Sequence, residues 1–189
     1  MNLNIDTILN IIGIGIAILT PTIGAWITWH NRYHYSWKKI LKAVHTLHER
    51  LSERGEEPNL ILAFAKGGLI VADLLNMQYD NRIPIITIYT KRSLKAGQRL
   101  VEIDTSYVNF NNLKGKKIFL VDDVVQSGSS LQSLVKLLTE NYSVKRKDIT
   151  TIVLATNISV TQFQPDVFVY EFAYSKKRPI LPWGQVPRD

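Results

Sequence analysis

Residues 118–138 restrict the possible folds of this chain more than any other stretch. Ile118-Phe119-Leu120-Val121 is an unbroken apolar run, Asp122 and Asp123 follow it, and Gln126-Ser127-Gly128-Ser129-Ser130 leads into Leu131, Leu134, Val135 and Leu138. A short apolar run bounded by polar residues suits a strand buried on both faces of a parallel sheet. The i, i+3, i+4, i+7 spacing beyond the loop is that of a helix with one apolar face. A strand passing through a tight loop into a helix is half of a parallel crossover unit, which predicts an α/β fold.

The loop also implies chemistry. Small residues at a helix N-terminus leave backbone N–H groups accessible at the positive end of the helix dipole, an arrangement suited to a phosphate. Carboxylates one turn earlier accept hydrogen bonds from sugar hydroxyls, directly or through hydrated Mg²⁺. Together they describe a ribose-5-phosphate site; an ordinary strand-turn-helix corner with a capping serine is the plainer alternative.

The chain has 189 residues, no cysteine and a net charge of +7, with a pI near 9.6. Disulfides are therefore excluded, and anionic partners such as nucleotides, pyrophosphate or anionic lipid are favoured. Nucleic acid is not expected, because the basic residues form no arginine-rich arm and no regularly spaced aromatic array accompanies them. His30, His34, His45 and His48 fall in i,i+3 and i,i+4 pairs without a cysteine or a cluster of carboxylates at ligand spacing, so no histidine metal site is expected.

Thr7 to Trp29 is a run of 23 uncharged residues, rich in Ile and Gly and closed by Trp26 and Trp29. That length spans a bilayer core, and tryptophans favour its boundary. Pro21 predicts a kink within it. Arg32, Lys38, Lys39 and Lys42 follow, so the positive-inside rule puts the C-terminal part in the cytoplasm. The expected organisation is a transmembrane helix over 7–29, a juxtamembrane linker over 30–35 and a single domain over 36–189. The protein is thus expected in the cell membrane as a single-pass chain held in lipid through residues 7–29.

Within that domain, Ser36 reads as the N-cap of a helix with Trp37, Ile40, Leu41, Val44, Leu47 and Leu51 on one face, ended by Gly55 and Pro58. Leu60 to Phe64 is a short strand running into Ala65-Lys66-Gly67-Gly68 and then a helix from about Leu69 to Met77. Lys66 offers a point charge, and the two glycines permit close backbone approach to a ligand. Ile83 to Tyr89 reads as a strand ended by Thr90-Lys91-Arg92. A polar segment to about Gly115 follows it, with a hairpin somewhere in Leu100 to Phe110. Ile149 to Ala155 and Val167 to Phe172 complete the strands.

Two of these loops carry a resemblance. The Asp122-Asp123 segment with its Ser-Gly-Ser-Ser turn resembles the phosphoribosyl-pyrophosphate (PRPP) loop of type I phosphoribosyltransferases. Lys66-Gly67-Gly68, roughly 55 residues earlier, resembles the pyrophosphate loop of their purine members, and Pro182-Trp183 the segment closing their base-binding hood. The implied fold is α/β, a mainly parallel sheet flanked by helices with a small C-terminal hood. The implied activity is transfer of ribose 5-phosphate from PRPP to a purine-like nucleobase with Mg²⁺ as cofactor, in a homo-oligomer.

By the same resemblance Asp122 and Asp123 hold the ribose and the metal and, with Lys66, carry catalysis. Gln126, Ser127, Gly128, Ser129 and Ser130 wrap the 5-phosphate. Lys66, Gly67, Gly68, Lys91 and Arg92 meet pyrophosphate, the last two from a mobile lid, while Thr156, Tyr170, Phe172 and Trp183 face the base. The chain departs from the pattern in two places. Gln126 stands where 6-oxopurine members place an aspartate that manages a ring proton, and Ala155-Thr156-Asn157-Ile158 lacks their base-recognising lysine. A PRPP or nucleotide sensor without transfer chemistry, signalling through its membrane helix, is therefore the competing expectation.

Overall fold

Six strands order the main body of the chain. A computed structural model describes residues 34–95, 98–106, 108, 110, 112–159, 163–173 and 179–184. The expected membrane span lies outside them, and among the described residues no helix is long and apolar enough to cross a membrane. The chain divides into two units, Ser36–Pro179 and a smaller one of residues 1–35 with 180–189. In the described part of the smaller unit, His34 bridges Ile180 in parallel, the Tyr35 N–H donates to the Ile180 carbonyl at 2.9 Å, and Pro182–Gly184 forms a 3₁₀ turn.

The larger unit opens with α1 (Trp37–Glu53), whose N-cap Ser36 accepts from the Lys39 N–H at 3.4 Å. The predicted stop at Gly55 is met. Gly55 takes φ +64°, and its N–H and that of Glu56 donate back to the Ser52 and Leu51 carbonyls. This is the left-handed glycine termination that satisfies carbonyls at a helix end. Ile40, Ala43, Val44, Leu47 and Leu51 form the buried face. Trp37 and Leu41, expected on that face, are instead 52% and 54% exposed. The apolar stripe is wider than the surface that covers it.

β1 (Leu60–Phe64) leads through α2 (Gly67–Asn76) to β2 (Ile85–Lys95), which turns back as β3 (Gln98–Asp104). β4 (Ile118–Val125) leads through α3 (Ser129–Asn141) to β5 (Ile149–Asn157), and β6 (Val167–Phe172) completes the sheet. The strand order is β3-β2-β1-β4-β5-β6, parallel throughout except for the β2–β3 pair. From β1 the chain crosses to one side and from β4 to the other, so the order reverses between these two neighbours. Right-handed crossovers then put α2 and α3 on opposite faces, leaving a crevice at the carboxyl ends of β1 and β4. Leu60, Leu62, Ile118 and Leu120 form one core with the α3 residues Leu131, Leu134 and Leu138.

Two boundaries differ from the sequence reading. β2 does not end at Thr90-Lys91-Arg92 but runs on to Lys95, paired with β3 from Tyr89↔Asp104 to Lys95↔Gln98. The hairpin therefore lies earlier than Leu100 to Phe110. β4 also continues past Val121, so Asp122 and Asp123 sit within the strand rather than beyond it.

α1 runs antiparallel to β6 and is tied to it along its length. The Tyr170 hydroxyl donates to the Lys39 carbonyl at 3.3 Å, Arg50 donates to the Phe168 carbonyl, and Arg54 to the Asp166 carbonyl at 3.2 Å. The Asp166 carboxylate in turn accepts from the Thr151 N–H and hydroxyl, each at 2.8 Å, and pairs with Arg146 through both oxygens. This bidentate pair fixes the start of β6 beside β5.

Leu120 is fully buried at the centre of the core. Leu120→Ala is expected to lower unfolding free energy by about 2–5 kcal/mol in urea denaturation, and a loss below about 1 kcal/mol would contradict this packing. In the hairpin, Lys91 Nζ lies 2.8 Å from Asp104 Oδ2. Its hydrogen bond, aided by Ser106, holds Asp104 down from 3.8 to about 2. A depressed carboxyl stabilises the fold above its unfolded pKa and loses that contribution as pH falls toward the folded value. The pair should therefore persist at pH 4 and fail as pH approaches about 2. An NMR titration of Asp104 checks this: Lys91→Ala should raise its midpoint, and an unchanged midpoint would contradict the pairing.

Candidate functional site

The crevice is assembled by two strand-loop-helix corners in contact. A β carbon added to Gly68 would lie 2.5 Å from the Val121 carbonyl oxygen and 2.9 Å from Asp122 Cα. Only hydrogen at this position lets the start of α2 lie directly on the backbone of β4. Lys66-Gly67-Gly68 is thereby set beside the acidic pair. The Ala65–Lys66 peptide is cis, and Lys66 is the N-cap of α2 without a side-chain hydrogen bond to the helix.

Asp122 and Asp123 are both partly buried. Asp122 Oδ1 accepts from the Asp123 N–H at 2.9 Å, and Asp123 Oδ1 accepts from the Val124 N–H at 2.7 Å. Each carboxylate is thus fixed by the next residue of the strand. The pair is well suited to Mg²⁺ that draws its other ligands from substrate phosphates and water, since such ions take only one or two protein carboxylates. Among the described residues there is no group of three or more side chains that could hold a metal alone.

The second corner runs from Gln126 to Ser130. Gly128 adopts φ +79°, and a β carbon there would lie 2.6 Å from the Phe163 carbonyl oxygen, so the position requires glycine for both conformation and space. Gly128 is the N-cap of α3 and supplies no side-chain acceptor. Ser127 Oγ instead lies 3.1 Å from Ser129 Oγ and accepts from the Ser129 N–H at 3.4 Å. Neither N-cap residue thus supplies a side-chain acceptor, and α2 and α3 both begin at the carboxyl ends of adjacent strands. Two positive helix ends in this position offer N–H donors to anionic groups.

Thr156 lies beside this corner, in register with Val125. It is wholly buried, and its hydroxyl meets no hydrogen-bond partner among the described residues. Asn157, also buried, turns the chain with its side-chain oxygen accepting from the Ser159 N–H at 3.0 Å.

The remaining candidates are more dispersed. Lys91 stands on β2 in its pair with Asp104, and Arg92 on the same strand opposite Val101. They belong to a paired ribbon. The hydroxyl of Tyr170 is engaged by α1, and burial raises its pKa. Phe172 is buried where its carbonyl accepts from the Ile158 N–H at 3.1 Å. Trp183 belongs to the smaller unit. Phe163, against Gly128, has no signal in the sequence: it falls between strands, where no periodicity marks it.

Comparison with known proteins agrees with this geometry. The chain is 29% identical over 112 residues to the ribose-phosphate pyrophosphokinase of Methanobrevibacter smithii, covering 58% of this chain and 37% of that protein. It is 27% identical over 92 residues to the transcriptional regulator GfcR of Methanocella arvoryzae, covering 49% and 44%. The chain thus spans less than half the length of either. A crystal structure of purine phosphoribosyltransferase from Pyrococcus horikoshii Ot3 superposes with a TM-score of 0.68 at 26% identity, covering 82% of this chain and 96% of the other. The family model for the phosphoribosyl transferase domain matches residues 34–171. With both corners inside that span, the chain belongs to the phosphoribosyl transferase family.

Proposed function

We propose that the chain transfers the 5-phosphoribosyl group of PRPP to a ring nitrogen of a purine-like base and releases pyrophosphate. The observation that carries this reading is the contact of Gly68 with Val121 and Asp122, which puts a lysine-glycine corner and an acidic corner on one crevice. In the reaction the bond from ribose C1 to pyrophosphate breaks as the bond to nitrogen forms, and C1 gains positive charge between them. Catalysis of this kind rests on positioning and electrostatics.

The roles proposed for single residues are those the family resemblance implies. The Gln126–Ser130 loop and the start of α3 bind the 5-phosphate. Asp122 and Asp123 hold the ribose hydroxyls and offset the charge at C1. Lys66, with the backbone of Gly67 and Gly68, receives pyrophosphate. Asp122 and Asp123 would hold Mg²⁺, which would supply neutralisation of the leaving group. Thr156, Tyr170 and Phe172 are the candidates for the base side, with Trp183 included from the sequence pattern alone. Residues 7–29 anchor the chain in the cell membrane with the domain in the cytoplasm.

A second reading has its own support. Gln126 cannot act as a base near neutral pH, and a relative is named as a transcriptional regulator. On that reading the crevice binds PRPP or a nucleotide as a signal, without turnover.

Pyrophosphate release from PRPP with Mg²⁺ across a panel of bases separates the two. Turnover with at least one base, lowered about 10²-fold or more by Asp123→Asn, is expected. Tight PRPP binding without turnover on any base would transfer the assignment to the sensor. Gly68→Ala should weaken PRPP binding in calorimetry at least tenfold while the far-ultraviolet spectrum is kept. Unchanged affinity would remove Gly68 from the site.

A further inference from the structure

The N-terminal half of α1 carries side chains that the fold leaves exposed. Trp37 and Leu41, one turn apart, are 52% and 54% exposed. Lys38 and Lys42 lie beside them, also exposed, with His45 one turn on. The first turn holds no acidic residue, and the first acidic residue of the helix is Glu49. A helix dipole favours the opposite, carboxylates at the N-terminus and lysines at the C-terminus. Lysines at this end therefore gain nothing from the helix dipole.

Tryptophan and leucine flanked by lysines make the composition of a helix lying in a membrane interface. The sequence supplies the bilayer. Trp37 lies eight positions beyond Trp29, where the uncharged run ends, a reach of at most about 28 Å when fully extended. We infer that the Trp37–Leu41 face of α1, with Lys38 and Lys42, docks on the surface of an anionic bilayer. This inference rests on the proposed anchoring through residues 7–29. The face lies at the carboxyl end of the sheet, because Lys39 meets Tyr170 near the end of β6 while Arg54 meets Asp166 ahead of its start. Docking therefore turns the end of the sheet that bears the crevice toward the membrane.

Because the chain contains no cysteine, Leu41→Cys gives a single labelling site. The full chain carrying an environment-sensitive fluorophore there is reconstituted in vesicles of phosphatidylcholine with phosphatidylglycerol, or of phosphatidylcholine alone. Strong quenching by lipids brominated on their tails is expected in the anionic vesicles and weaker quenching in the neutral ones. A label at Lys136→Cys on α3 should stay unquenched. Adding Lys38→Glu and Lys42→Glu to the Leu41→Cys chain should abolish the quenching while the chain stays in the carbonate-washed pellet. A pelleted chain whose Leu41 label is unquenched overturns the docking and leaves the anchoring intact. A label that is blue-shifted yet unquenched also overturns it, since protein rather than lipid then covers the face. Release by carbonate with quenching retained on added anionic vesicles removes the span and supports the docking.

Discussion

The contact between Gly68 and the backbone of β4 is the constraint on which the rest of the site depends. Strand order reverses between β1 and β4, so the loops leaving these strands diverge to opposite faces of the sheet. The crevice they leave becomes a binding site only if the two helix starts come close enough to serve one ligand. Here hydrogen in place of a methyl group allows it, with the Val121 carbonyl occupying the space a side chain would need. Gly128 repeats the device against Phe163. The helix starts are thus held by backbone contact, and neither N-cap residue, Lys66 or Gly128, gives a side-chain hydrogen bond to its helix.

This arrangement separates stability from chemistry. The core is carried by strands and helix faces such as Leu62, Leu120 and Leu134, all fully buried. The polar groups of the crevice stand at the strand ends, where they contribute little to that core. The carboxylates are steadied by their own backbone, so a ligand meets groups already in place. Preorganisation of this kind reduces the ordering that binding would otherwise require.

Much of this was legible from the amino acids because the signals were local. Leu60 to Phe64 is an apolar run and Val167 to Phe172 is apolar but for Glu171, and they form the strands expected of them. The spacing of Leu131, Leu134, Val135 and Leu138 marks the buried face of α3. The β2–β3 ribbon was not legible. Thr90 to Lys95 has neither an apolar run nor alternation, and this part of β2 runs past β1 and pairs with β3 alone. Trp37 and Leu41 misled for the converse reason: helical spacing reveals which residues share a stripe, not how much of it a neighbour covers. Asp122 and Asp123 were expected where the strand ends, but Val124 and Val125 carry the strand past them. Phe163 depends on a contact distant in sequence, which no local pattern encodes.

The lashing of α1 to β6 gives the domain a mechanical character. Three attachments, at Lys39, Arg50 and Arg54, are spread along a helix antiparallel to the strand it holds. Tension applied ahead of Ser36 and along the helix axis would load them together in shear rather than peel them one at a time. A domain pulled from its N-terminus in this way resists being drawn out from that end.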